Sequence, residues 1–216
     1  MNSFERKGIE FLAKINELVE NKELETADSL FEVLNHIRLR DGYHLGLRLP
    51  EKGGLGDESW FYTYPEKSEG KNDGERLGRN HRVFKDEMNR NPEMKDLIVE
   101  KSEMGAWQAY LLSVSPTLLP LWWHANYNRR TYIFDRDNYS GIPQMFGDPV
   151  MLKIEDIPQP SVSLNNDRAV VRCPYWNGWE GLVLESENVY FERNDIISLG
   201  EVTEVVLHEY DCGVCF

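Results

Sequence analysis

Residues 104–134, MGAWQAYLLSVSPTLLPLWWHANYNRRTYIF, contain no aspartate or glutamate, although the whole chain has 37 acidic residues among 216. An unpaired carboxylate is costly to bury, so acids are excluded from segments whose side chains leave water. The stretch also holds three of the six tryptophans, Trp107, Trp122 and Trp123. We therefore predict that it forms the core and that only its polar end, residues 124–130, reaches the surface.

The first part of this stretch is predicted to be a buried helix. Residues 104–114 are apolar nearly all round, and Pro116 is expected to end the helix because proline lacks a backbone donor. Residues 121–125 and 130–135 are predicted to be strands. The turn between them, residues 126–129, would carry the polar end.

The N-terminal region is predicted to form a helical hairpin. Between residues 4 and 19 apolar residues recur every three or four positions, which is typical of an amphipathic helix. A second helix is predicted from Thr26, a suitable N-cap, to Asp41, where Gly42 can adopt the left-handed C′ conformation.

From Tyr43 the apolar period changes to two, which indicates strands. Residues 43–49 and 59–64 are predicted to form a hairpin that places His44 and Arg48 on the face opposite the leucines. The segment near 65–76 lacks large apolar residues and is predicted to be a mobile loop. A helix over 83–94 and a strand over 96–100 follow.

Beyond Pro143 the pattern indicates a β-meander. Asn-Gly supplies the backbone conformation that tight hairpin turns need, and the clearest example lies between Trp176 and Trp179. Strands separated by turns favour antiparallel pairing. We predict a single α+β domain, residues 1–216, in which the helical hairpin and the buried central helix pack on a mainly antiparallel sheet. The predicted meander strands are 150–154, 161–164, 168–173, 181–184, 189–192 and 202–210.

Charge and targeting signals limit the classes of function. The formal net charge of −13 argues against nucleic-acid binding, which depends on lysine and arginine neutralising phosphates. No apolar run is long enough to cross a bilayer. Residues 1–7 lack the apolar region of a secretory signal, and three cysteines are too few for a disulfide framework, so we expect a cytoplasmic protein without a membrane association.

One metal site is conceivable near the C-terminus. His208, Cys212 and Cys215, with Cys173 as a fourth residue, are the ligand types that tetrahedral zinc takes. The pattern is only half of an established zinc motif, so free thiols without a cofactor are the main expectation and zinc is the alternative.

A second candidate site is the polar end of the acid-free stretch. Paired arginines beside aromatic rings can hold a carboxylate or phosphate, and a histidine can act as an acid or base near neutral pH. In this hypothesis His124 is the catalytic group. The ligand-binding residues are Trp123, Tyr127, Arg129, Arg130, His44 and Arg48. The alternative is that these arginines face water or pair with carboxylates and that the histidines are packed.

The main hypothesis for function is a binding module, for example an acidic inhibitor or immunity-type protein, that presents a negative surface to a basic partner. Residues 185–216 carry eight acids and one arginine. The alternative is an enzyme or sensor for a small anionic ligand, and the sequence leaves both classes open. The residues predicted to contact the partner are Trp176, Trp179, Glu185, Glu187 and Glu192.

Overall fold

The computed structural model describes residues 1–22, 26–49, 59–66, 75–77, 94–119, 130–137, 139, 152–178, 180–192 and 196–210. These residues include the α-helices α1 (Ser3–Asn21) and α2 (Glu103–Leu118). Two 3-10 helices cover Asp28–Glu32 and Ile154–Asp156. The strands are β1 (Ile37–Leu39), β2 (Tyr43–Arg48), β3 (Trp60–Pro65), β4 (Glu75–Arg76), β5 (Leu97–Val99), β6 (Thr131–Tyr132), β7 (Ser161–Asn165), β8 (Arg168–Asn177), β9 (Gly181–Phe191) and β10 (Ile197–His208).

The strands form three antiparallel sheets, which confirms the predicted α+β class and the C-terminal meander. The largest has the order β10-β9-β8-β6, and β7 also pairs with β8. The second has the order β2-β3-β4, and the third consists of β1 and β5. Neither α-helix in the described ranges has the length and apolar content that crossing a membrane requires.

Helix α1 is the amphipathic helix that the sequence predicts. It begins with a capping box in which Asn2 accepts from the backbone N–H of Glu5 at 2.8 Å and Glu5 accepts from that of Asn2. Its apolar side, which includes Phe11, Ile15 and Leu18, is fully buried. Lys22, in the left-handed conformation, ends the helix.

The second helix of the predicted hairpin is not confirmed. The segment forms only the short 3-10 helix Asp28–Glu32 and then strand β1. Its backbone is hydrogen-bonded to β2 instead: the N–H of Ala27 donates to the carbonyl oxygen of Leu45 at 2.7 Å. β1 then pairs with β5, with Ile37 opposite Val99. Tertiary pairing therefore overrides the local helical pattern.

Helix α2 is the buried helix predicted from the acid-free stretch, and Trp107 is 0% exposed. The expected end at Pro116 is wrong, because the helix continues to Leu118. Pro116 cannot donate to the carbonyl oxygen of Leu112, but the hydroxyl of Ser115 donates to that oxygen at 2.7 Å. The side chain of one residue thus replaces the missing backbone bond.

The main hydrophobic cluster joins both helices to the three sheets. The β2–β3 register pairs His44 with Tyr64 and Arg48 with Trp60, as the predicted hairpin requires. The prediction of a mobile loop near 65–76 is wrong at both ends, since β3 includes Pro65 and β4 pairs with β3 at Glu75–Arg76; residues 67–74 lie outside the described residues.

The meander differs from the prediction in the bounds of its strands. Residues 181–184 and 189–192 belong mainly to one long strand, β9, while β8 continues to Asn177 and β10 begins at Ile197. Of the strand predicted over 150–154, residues 152–154 are described, and Ile154 begins a 3-10 helix instead. Asn177 pairs with Gly181, so the hairpin loop is 178–180, and the positive φ of 93° falls on Gly181. The turn between β7 and β8 contains Asn166, which has a φ of 51°.

Candidate functional site

Arg130 stands directly before β6 and is buried, with 8% of its surface exposed. Its guanidinium donates to Glu185 on β9 and, at 2.5 Å, to Glu204 on β10. It also lies over the ring of Tyr175 on β8, with 4.7 Å between Cζ and the ring centroid. One arginine therefore links three neighbouring strands of the largest sheet.

Glu185 is fully buried and is held by hydroxyl groups as well as by Arg130. Tyr110 of α2 donates to Glu185 Oε1 at 2.8 Å, and Tyr132 of β6 lies 3.4 Å from the same oxygen. The ring centroids of Tyr110 and Tyr132 are 6.2 Å apart and those of Tyr132 and Tyr175 are 5.7 Å apart, within the range of paired aromatic rings. A buried carboxylate is tolerated only with such partners.

Glu187, two residues along β9, is also fully buried beside α2. The hydroxyl of Ser113 lies 3.2 Å from Glu187 Oε2. The two glutamates share the face of β9 that lies beneath α2, since side chains two apart on a strand point the same way. This face of the sheet therefore carries two carboxylates inside an otherwise apolar core.

The pKa values of Arg130 and Tyr175 are both raised in this buried environment. Burial alone would lower the pKa of Arg130, but electrostatic interactions with Tyr132, Glu185, Tyr175 and Glu204 raise it above its ordinary value. Burial raises the pKa of Tyr175, and Arg130 opposes that shift. Arg130 is therefore always charged, and its charge is neutralised by two glutamates.

These positions correct several predicted roles. Arg130 lies inside the protein and is engaged by two carboxylates, so it is not an exposed anion-binding group. Glu185 and Glu187 are 0% exposed and Trp176 is 5% exposed, so the predicted negative surface does not include them. Of that predicted set, Glu192 is exposed and accepts from Ser198 at 2.9 Å. The remaining predicted site residues lie outside the described residues: Trp123, His124, Tyr127, Arg129 and Trp179.

The predicted zinc ligands are also separated. Cys173 is fully buried on the face of β8 that meets α2, and burial raises its thiol pKa well above the ordinary value. His208 pairs with Leu182, whose side chain belongs to a second apolar cluster with Trp176 on the opposite face of the sheet. Cys173 and His208 therefore cannot bind one ion. Cys212 and Cys215 lie outside the described residues, and no cluster of three potential metal ligands occurs in the described part of the chain.

Strand β10 lies at one end of the five-stranded sheet. It pairs with β9 on one side, and in the described ranges no strand pairs with its other side. Its second half is the most exposed apolar segment of any described strand: Val205 is 57% exposed, and Val206 and Leu207 are 44% exposed. β10 contains Glu201 and Glu204 but no lysine or arginine.

The β2–β3 hairpin carries the second group of polar and aromatic side chains. His44 Nδ1 donates to Asp28 Oδ2 at 2.7 Å, and the other oxygen of Asp28 accepts from the backbone of Leu45 at 2.7 Å. Arg48 lies over Trp60 on the same face, with 5.1 Å between Cζ and the ring centroid. The predicted combination of histidine, arginine and aromatic rings is thus present on this hairpin.

Comparison with known proteins gives no further guidance: no family model, no curated protein and no solved structure matches the chain.

Sequence reasoning missed two polar residues at these sites. Glu204 is separated from Arg130 by 74 positions, and only the β9–β10 register places it opposite Glu185. The alternating pattern of β10 is the signal that could have found it. Asp28 was assigned to the first turn of a helix, and nothing in its local sequence indicates a contact with His44.

Proposed function

We propose that the protein is a binding module whose edge strand β10 takes up an extended, basic segment of a partner protein. The observation that supports this most directly is β10 itself, where the exposed Glu201 and the exposed apolar side chains of the second half lie on a strand without a second neighbour in the described ranges. An acidic inhibitor or immunity-type role is one form of this function.

The first step of the argument concerns the backbone. An edge strand presents unpaired N–H and C=O groups, which an added strand can satisfy in the mode known as β-augmentation. Proteins commonly protect such edges with lysine, proline or short strands. β10 is 12 residues long and contains neither residue. Its irregular register at Leu199/Val202 and Val206/His208 leaves a regularly paired section between them.

The second step concerns side chains. Val205, Val206 and Leu207 provide exposed apolar side chains, and because neighbouring residues of a strand point to opposite faces, Val206 projects from the face opposite to Val205. Glu201 and Glu209, at either end of this section, are exposed. A partner segment that alternates lysine or arginine with apolar residues would match both features.

The third step concerns which partner is favoured. Two copies of this chain paired through β10 would bring together molecules that each carry a net charge of −13. Like charges oppose such pairing, and opposite charges accelerate association. A basic partner is therefore preferred over a second copy.

The test is an NMR titration of the isotope-labelled protein with a synthetic peptide that alternates lysine and valine. We expect amide shifts concentrated in residues 201–208, an affinity that falls as salt is added, and slower hydrogen exchange of the β10 amides. The matched probe alternates glutamate and valine and should not bind. Equal binding of both peptides, shifts mapped elsewhere, or absence of binding would refute the proposal.

A pair of charge reversals separates a specific edge contact from general attraction. Glu201→Lys should weaken binding of the lysine peptide by about three- to tenfold, the effect of losing and reversing one surface charge contact. Glu17→Lys makes the same change of net charge on the exposed side of α1 and should have a much smaller effect. If both variants weaken binding equally, only the net charge matters and β10 is not the site.

The alternative hypothesis of an enzyme or sensor for a small anion loses one of its binding groups, because Arg130 is neutralised by Glu185 and Glu204. His44 and Arg48, the two members of that hypothesis on the β2–β3 hairpin, occupy a separate site.

A further inference from the structure

One face of the largest sheet is open to solvent. On β8, Val171 and Cys173 are fully buried on the side that meets α2. Because side chains alternate along a strand, Arg168, Val170 and Arg172 point to the other side. Arg168 is exposed there, and Val170 and Arg172 are half-buried. This side of the sheet is called the open face below.

The open face carries positive charge in a strongly acidic chain. Its residues follow from the strand pairing, because side chains directly opposite each other on neighbouring strands share a face. The paired residues include two arginines and no aspartate or glutamate, although the chain has a net charge of −13. Glu185 and Glu187 of β9 belong to the buried face. The open face consists of Ser161, Ser163 and Asn165 of β7; Arg168, Val170 and Arg172 of β8; Ser186, Asn188 and Tyr190 of β9; and Ser198 and Thr203 of β10.

Arg172 lies in the middle of one row of hydroxyl groups on this face. It pairs with Ser161 of β7 on one side and with Ser186 of β9 on the other, and Ser186 pairs with Thr203 of β10. Paired residues have Cβ atoms about 5 Å apart, so both serines lie within reach of a group bound at Arg172. In the part of the chain that the structure describes, neither the guanidinium nor these hydroxyls has a hydrogen-bond or ion-pair partner. They are therefore available to a ligand.

The donors of this row match a phosphate monoester. A guanidinium offers N–H groups in a planar fork, and serine and threonine hydroxyls can donate as well. A phosphate monoester has about 1.5 to 2 negative charges at pH 7 and three acceptor oxygens, whereas a carboxylate has one charge and two oxygens. A positive group with a hydroxyl donor on each side therefore favours a phosphate over a carboxylate.

The acids beside the open face lie on its far side from Arg172. Glu192 accepts from Ser198 of β10 at 2.9 Å, and Glu201 lies in the irregular section of the same strand. β10 is two strands away from β8, which is roughly 10 Å at the spacing of neighbouring strands. Exposed charges separated by more than about 8 Å are largely screened at physiological ionic strength. The local positive charge therefore determines what binds at Arg172.

The shape of the open face indicates which kind of molecule carries the phosphate. Sites for small molecules are concave and enclose most of the ligand, whereas this site is the exposed side of a sheet. We propose that the open face binds a phosphorylated segment of a partner protein, with the phosphate of a phosphoserine or phosphothreonine at Arg172. The hydroxyls of Ser161 and Ser186 donate to the same phosphate. This proposal does not rest on the binding of a basic segment at the edge of β10.

The test is an NMR titration of the full chain with a short neutral peptide that contains one phosphoserine. We expect amide shifts in β7, β8 and β9 around Arg172. The peptide with serine, and the peptide with glutamate, in place of phosphoserine should bind about tenfold more weakly or less, because they lose charge-assisted hydrogen bonds. Equal binding of any two of the three peptides, shifts mapped elsewhere, or absence of binding overturns the proposal. Inorganic phosphate should shift the same amides with lower affinity, and equal affinity would overturn the assignment to a protein segment.

Single substitutions locate the phosphate. Arg172→Gln should weaken binding of the phosphopeptide roughly ten- to a hundredfold, the effect of losing a charged hydrogen bond. Ser186→Ala removes one hydroxyl and should weaken binding by about three- to tenfold without changing any charge. Arg6→Gln makes the same change of net charge as Arg172→Gln on the exposed side of α1 and should have no effect.

Two outcomes of these measurements contradict the site. If Arg6→Gln weakens binding as much as Arg172→Gln, only the net charge matters and the open face is not the site. If a single-stranded oligonucleotide binds at the same residues more tightly than the phosphopeptide, the open face recognises nucleic acid and the proposed partner is wrong.

Discussion

Replacing Arg130 by methionine tests whether the buried ion pair holds the largest sheet together. Methionine has a similar length and removes only the charge and the donors. The guanidinium is 8% exposed and donates to Glu185, which is 0% exposed. Removal of one partner from a buried pair leaves an uncompensated charge and typically costs about 3–5 kcal/mol.

The other contacts of Arg130 change this value only modestly. The contact with Glu204 is at the edge of the buried region, where exposed pairs contribute about 0–1 kcal/mol. Stacking on Tyr175 adds about 0.5–2 kcal/mol. We therefore expect Arg130→Met to lower the free energy of unfolding by about 4–8 kcal/mol, which is a large part of the roughly 5–15 kcal/mol that stabilises an ordinary domain.

Urea unfolding followed by tryptophan fluorescence measures the loss. Arg168→Met is the matched control, because Arg168 is exposed and, among the described residues, its side chain donates to Asn188 at the surface, and it should cost less than about 1 kcal/mol. Glu185→Gln in the Arg130→Met background removes the uncompensated charge and should recover part of the loss. A cost of Arg130→Met below about 1 kcal/mol would refute the assignment of a buried charge pair.

Three further variants or conditions test local parts of the fold. Ser115→Ala should lower the free energy of unfolding by about 1–3 kcal/mol, because the carbonyl oxygen of Leu112 loses its donor inside the core; calorimetry measures this. Asn2→Ala removes the α1 N-cap and should cost about 1 kcal/mol in urea unfolding. Cys173 and Tyr175 have raised pKa values, chiefly through burial, so the unfolded chain releases protons above the ordinary values of 9.0 and 10.0 that the folded protein retains. Stability should therefore fall as pH rises above about 9, by up to about 1.4 kcal/mol per pH unit for each group, and Cys173→Ala should reduce this slope.

The local sequence pattern predicted helix α1 and the β2–β3 hairpin correctly. Helix α1 has an uninterrupted amphipathic period, and the strands of the hairpin alternate strictly between apolar and polar residues. The segment from Asp28 to Leu39 has a helical pattern, but its hydrogen bonds go to β2 and β5. A sequence does not show such distant partners, and the helix prediction failed there for that reason.

The prediction that helix α2 ends at Pro116 was wrong for a different reason. Proline normally removes one helical bond, and the rule that it ends a helix assumes that no other donor is present. The preceding Ser115 supplies that donor to Leu112. A serine directly before a proline in an apolar helix therefore allows the helix to continue past the proline.

The site predictions for Arg130, Glu185 and Glu187 are wrong because these charges were assumed to be exposed. The described parts of the acid-free stretch, residues 104–119 and 130–134, are largely buried, as Trp107 and Tyr110 show, but the core that they help to form contains two carboxylates. These come from β9, where Glu185 and Glu187 alternate with Ser186 and share a face with Val183 and Val189. A segment without acidic residues therefore does not imply a core without acidic residues, because other segments pack against it.

The same alternation explains why the acids are there. A strand with period two and two glutamates on its apolar face requires positive or hydroxyl partners from elsewhere in the chain, since a bare carboxylate would not be tolerated. The acid-free stretch supplies them: Tyr110 and Arg130 for Glu185, and Ser113 for Glu187. The absence of acids from residues 104–134 and the presence of two buried acids on β9 are therefore complementary parts of one polar contact between α2, β6 and the sheet.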